Sequence, residues 1–112
     1  MNNTQANNLV RLMMVRERCI EKPEFFRNIK NIKQAGIEAR RNMYQYALKF
    51  ADKFEINKSD DVYKTLQERL DSVDDYQVII SLKNPTIESA FYYVKNKTYL
   101  EIKELVKNNS VI

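Results

Sequence analysis

Two groups of residues in this chain have types and spacings suited to chemistry. The first is basic. Arg27, Lys30 and Arg41, with Gln34 between them, fall along one outward line if the segment is helical, and Arg40 stands beside them on the flank of the apolar face. Cations at that spacing suit a phosphate backbone or an acidic partner. Glu38, three residues before Arg41, partly neutralises the line. The same pattern is also that of an ordinary solvated face. The second group is acidic: Asp71, Asp74 and Asp75 in "DSVDDYQ". Calcium loops need a glycine turn and more oxygen ligands at defined spacing. The trio therefore reads as a helix end followed by an Asp cap, and no metal site is expected.

Most catalytic constellations are excluded by residue count. The chain has no His, which removes the commonest general base and metal ligand, along with every Ser–His or Cys–His pair. One Cys cannot build a zinc or iron–sulfur site within a single chain, and one Gly cannot build a phosphate-binding glycine loop. No cofactor and no enzymatic activity are expected.

The positioning elements follow from composition and periodicity. With 112 residues, 44% hydrophobic and 30% charged, the chain has the make-up of one globular domain spanning 1–112. One Gly and two Pro are too few for the turns of an all-β fold. The expectation is an all-α bundle of about five helices around one long central helix, about 23–54.

That central helix opens on Pro23 and Glu24. Its stripe runs through Phe25, Ile29, Ile32, Gly36, Ala39, Met43, Tyr46, Phe50 and Phe54 in steps of three and four. Ile32 and Ile37 would also suit a helix stop at Gly36. The stripe keeps its phase across Gly36, however, so a continuous helix is expected, with Gly36 and Ala39 as small positions under a crossing helix. Such a rod would be ~47 Å long at ~1.5 Å per residue. A domain of this size spans only ~35 Å, so the overhang points to a homodimer. A second strip, Phe26, Ile37, Tyr44 and Leu48, widens the apolar arc. Together with Gly36 and Ala39 it forms the candidate self- or partner interface.

Around this helix, a first helix over about 4–21 ends before Pro23, with Arg16 on its apolar face and Cys19 as a buried thiol. A third begins at Ser59 or Asp60 and buries Val62, Leu66, Leu70 and Val73. "DDYQVIISLKNP" fits a short buried helix or a strand, and is read as helix because no partner strand is evident. Asn84 and Pro85 then start "NPTIESAFYYVK". Thr98 and Glu101 look like a capping box for a last helix, "TYLEIKELVKNN". That pair, joined by "NK", has the outline of a helix-turn-helix. Glu101 and Glu104 would repel phosphate and no Arg is present to read guanine, so a plain helical hairpin is expected.

No apolar run is long enough for a membrane span, and the polar N-terminus lacks a secretory core. A cytoplasmic setting fits the single Cys. Twelve Asn, twelve Lys and ten Ile suggest an AT-rich genome such as that of a phage or mobile element. Charge is uneven: residues 1–56 carry 11 Lys/Arg against 6 Asp/Glu, a net of +5, and residues 57–112 carry 8 against 9, a net of −1. By subtraction the chain reads as a non-enzymatic helical binding protein, an inhibitor or regulator that occupies a partner protein, with proteins that handle nucleic acid among the candidate partners. The alternatives are a dimeric DNA- or RNA-binding regulator and a structural assembly subunit.

Overall fold

The computed structural model describes residues 23–51 and 56–109. Among these the fold is all-α, with no strand. Four helices lie among the described residues: α1 (Pro23–Arg27), α2 (Ile32–Phe50), α3 (Asp61–Asp71) and α4 (Ile87–Asn109), with a 3-10 turn at Val73–Asp75. The expected first helix, with Arg16 and Cys19, lies outside the described residues, as does Phe54.

The central helix starts later than its stripe suggests. Asn31 takes an extended conformation (φ −153°, ψ 170°) and caps α2, its Oδ1 accepting the Gln34 amide at 2.8 Å. Gln34 reaches back, and its Oε1 accepts the Lys30 amide at 2.8 Å. One orphan helix amide and the amide just before the cap are thereby satisfied, an Asn-x-x-Gln variant of the capping box shifted by one residue on its return bond. Ile29 is buried across the break, which is why the stripe keeps its phase from α1 into α2. The helix does run through Gly36, which has no positive φ.

α2 has 19 residues, ~28 Å at ~1.5 Å per residue. It fits inside a molecule whose principal extents are 43 × 27 × 22 Å. The overhang that motivated a dimer on the α2 stripe does not arise.

The core has two parts. Met43, Tyr44, Ala47 and Phe50 of α2 pack with Val62 and Leu66 of α3 and with Ile102 and Val106 of α4. Ala35 and Ala39 of α2 pack with Ala90, Phe91 and Val94 of α4. Phe25 and Phe26 of α1 close that end, edge-on to Phe91 at 5.4 and 5.3 Å between ring centroids. The early halves of α2 and α4 thus meet each other, as do their late halves, so the two long helices run in the same direction. Two parallel helices cannot be joined by a tight turn. The chain must return, and it does so through α3 and an extended stretch at 76–86.

Two further expectations change here. "DDYQVIISLKNP" is neither helix nor paired strand. After the 3-10 turn it runs extended, starting from Tyr76 (φ −66°, ψ 126°). The last two helices are one. Thr98 is fully buried inside α4, and its hydroxyl donates to the Val94 carbonyl at 2.9 Å instead of capping a new helix. The real cap is Thr86: its Oγ1 accepts the Ser89 amide (3.1 Å), and Ser89 Oγ accepts the Thr86 amide (2.8 Å). Asn84, at φ 52°, turns the chain into that cap, a conformation Asn tolerates better than most residues.

Candidate interaction site

The extended stretch crosses α2 at Gly36, and the fit explains the glycine. A Cβ placed there would lie 2.6 and 2.8 Å from the two Cγ atoms of Val78. No side chain at position 36 leaves room for Val78 as it stands. The small residue admits an extended strand, where the sequence suggested a crossing helix.

Arg40 and Arg41 hold the start of that stretch. Arg41 bridges Glu38 on its own helix and Asp74 in the 3-10 turn, with N–O distances of 2.5 Å to each. Arg40 stacks its guanidinium over the Tyr76 ring, 4.2 Å from the centroid, and lies 5.0 Å from that of Tyr44. It also makes a two-pronged pair with Glu101 of α4: Nη1 to Oε2 at 2.8 Å and Nη2 to Oε1 at 3.3 Å. Glu101 Oε1 further accepts from Arg69 of α3 and from the Tyr44 hydroxyl at 3.0 Å. One carboxylate thus ties together α2, α3 and α4.

The electrostatics follow from this crowding. Burial raises the carboxyl pKa of Glu101, but the Arg40 hydrogen bonds and charge, the Tyr44 hydroxyl and Arg69 outweigh it, holding the group below its ordinary value. Burial pushes the Tyr44 phenol up to about 12 despite the neighbouring Arg40 and Arg69 charges. For Arg40, desolvation disfavours the charge, yet the Glu101 hydrogen bond and the surrounding groups raise its pKa further. At the other end of the stretch, the Tyr93 phenol is lowered by its hydrogen bonding to Ser81. The segment is therefore fastened at Asp74, Tyr76, Val78 and Ser81.

What it presents outward is less covered. Tyr76, Val78 and Ile80 are half-buried against the bundle, while Asp75, Gln77, Ile79, Ser81 and Lys83 are exposed. Ile79 is 60% exposed. This is the period-2 alternation of a strand through Ser81, after which Leu82 is exposed as well. No backbone–backbone hydrogen bond among the described residues involves positions 77–85. A groove of about 740 Å³ runs along the side toward the start of α2, lined by Ile32, Lys33, Val78, Ile80 and Pro85, with Asp75 at one end. On the other side, Arg40, Arg69 and Gln77 border a smaller hollow of about 310 Å³.

The residues singled out from the sequence sort as follows. Arg40 and Arg41 are engaged inside the molecule, and Gln34 belongs to the α2 cap. Arg27 and Lys30 are exposed and make no ion pair among the described residues; Lys33, beside them, is the same. Of the candidate interface, Gly36, Ala39 and Tyr44 are buried in the monomer, Phe26 and Leu48 pack half-buried on the two cores, and Ile37 is half-buried. Asp71 accepts from Gln67, and the described residues hold no acidic cluster fit for a metal ion. Among them no helix is long and apolar enough to cross a membrane. Sequence reasoning missed Tyr76, Val78 and Ile79 as a surface element. No family model matches the chain, and no curated protein or solved structure matches it.

Proposed function

We infer that the chain is a non-enzymatic helical binding protein that occupies a partner protein, with residues 76–83 as its docking element. The observation behind this reading is the extended stretch fastened to the bundle at both ends yet, among the described residues, without a backbone–backbone hydrogen bond from 77 to 83, with Ile79 standing out from it. Strand addition on such an edge takes its affinity from main-chain hydrogen bonds and its specificity from alternate side chains. The absence of His and of glycine loops from the sequence fits a role that needs no catalysis. The Asn-, Lys- and Ile-rich composition suits a phage or mobile-element product working in the cytoplasm as an inhibitor or regulator.

Affinity capture from host lysate, with nuclease added, tests this. The wild type should retain a discrete protein, and Ile79→Glu should lose it while keeping its helicity. Equal capture by both, or capture that disappears with nuclease, would count against the reading. A nucleic-acid-binding regulator is the second reading, and what favours it is the exposed trio Arg27, Lys30 and Lys33, which make no ion pair among the described residues.

A further inference from the structure

Residues 76–82, "YQVIISL", carry no charge, no Gly and no Pro, and consist largely of β-branched, aromatic and aliphatic residues. Such stretches pair readily with another strand when an edge is open. Their immediate neighbours are oppositely charged, with Asp75 before and Lys83 after. Both are exposed, and neither makes an ion pair among the described residues.

The pattern is symmetric about Ile79. An antiparallel pairing of the segment with itself, centred on that residue, places Asp75 opposite Lys83 of the second copy, Gln77 opposite Ser81, and Ile79 opposite Ile79. These are all outward positions, so they share one face. The inward positions pair as Tyr76 with Leu82 and Val78 with Ile80, apolar throughout. Leu82, itself 37% exposed, would then lie toward the other copy's groove beside Tyr76, Val78 and Ile80. A one-residue slip would set inward positions opposite outward ones and separate the charges.

We propose that two copies of this chain associate through residues 76–82 as a two-stranded antiparallel ribbon centred on Ile79, with Asp75 of each copy facing Lys83 of the other. The occupant is a second copy because the complementary charges and side chains are present in the segment itself. This rests on the reading of the stretch as a docking edge, with self-pairing as the form taken before a partner competes for it.

The test is light scattering on the full chain at micromolar concentration. The wild type should be a dimer. Asp75→Lys and Lys83→Asp each turn two cross-strand attractions into repulsions and should each raise the dimer dissociation constant by about tenfold or more. An equimolar mixture of the two variants restores both pairs and should dimerise again. Circular dichroism should show each variant as helical as the wild type. In a Cys19→Ser background, Ile79→Cys should cross-link copies on oxidation faster than Gln77→Cys. A monomeric wild type, a dimer indifferent to both charge reversals, or cross-linking at 77 as fast as at 79 would overturn the proposal. A monomer whose Ile79→Glu variant still loses its captured partner would remove self-pairing and leave the docking reading standing. A dimer whose capture ignores Ile79 would do the reverse.

Discussion

Arg40 and Glu101, 61 positions apart, meet in a two-pronged pair that also gathers Arg69 and the Tyr44 hydroxyl. Removing the carboxylate leaves the largely buried Arg40 guanidinium without its acceptor. Glu101→Leu should cost about 2 kcal/mol, less than a fully buried pair because Glu101 is partly exposed. That is a fall in melting temperature of roughly 10 °C for a domain of this size. Replacing Arg40 by Leu in the same chain should recover part of the loss, since no orphan charge then remains at position 40. Thermal melts of the two variants check this.

Acid should act through the same carboxyl. Its folded pKa lies below the unfolded one, so the unfolded state takes up the proton first as pH falls. Glu101 therefore contributes stability that is fully present above the ordinary carboxylate range and is lost as pH drops through its folded pKa. Denaturant midpoints measured from neutral pH down into the acid range should fall more steeply for the wild type than for Glu101→Gln.

Tyr44 supplies the alkaline counterpart. Its phenol is held neutral up to about 12, while an unfolded tyrosine ionises near 10. The stability this represents is complete below the unfolded value and is lost as pH rises through the folded one. Of the seven tyrosines, one should ionise late in an ultraviolet titration, and Tyr44→Phe should delete that late step.

Gly36 offers a test of the strand crossing. Glycine to alanine inside a helix normally gains up to ~1 kcal/mol. Here the new methyl meets Val78, whose branched side chain has little freedom to turn aside. Overpacking of this kind costs ~1–3 kcal/mol, so Gly36→Ala should be net destabilising. Combined with Val78→Ala it should lose less than the two single effects added. Denaturant unfolding of the four chains closes the cycle. Additive losses would mean that the stretch does not lie on Gly36.

The helical class and the late half of α2 were legible because Ala39, Met43 and Phe50 recur at helical spacing and are buried there. The break at Asn31 was not: Ile29 and Ile32 keep the stripe in phase, and neither Gly nor Pro marks the gap. The Asn31–Gln34 spacing was the available signal. Thr98 and Glu101 show the opposite error. A T-x-x-E spacing also occurs when a buried threonine bonds back to the preceding turn and the glutamate pairs elsewhere. "YQVIISL" has strand-forming residues but no partner strand in the same chain, so neither helix nor sheet describes it. The engagement of Arg40 and Arg41 depends on Asp74, Tyr76 and Glu101, residues that only the folded chain brings near.

The basic surface decides between the two functions. Arg41 drops out of any nucleic-acid footprint because Glu38 and Asp74 already neutralise it. Arg27, Lys30 and Lys33 remain exposed. If each neutralised one phosphate, duplex DNA affinity would fall with salt at a log–log slope of about −0.9 per contact, or roughly −2.7 for three. On the protein-binding reading, the wild type should show only the shallow, loose attraction of any basic chain. Replacing all three by Glu should then change DNA binding little, and capture of the protein partner not at all. Melting should also hold nearly constant, since exposed charges are worth under ~1 kcal/mol to a fold. A steep slope abolished by the triple Glu variant would move the function to nucleic acid. It would place the footprint at the α1–α2 break, away from the edge that carries Ile79.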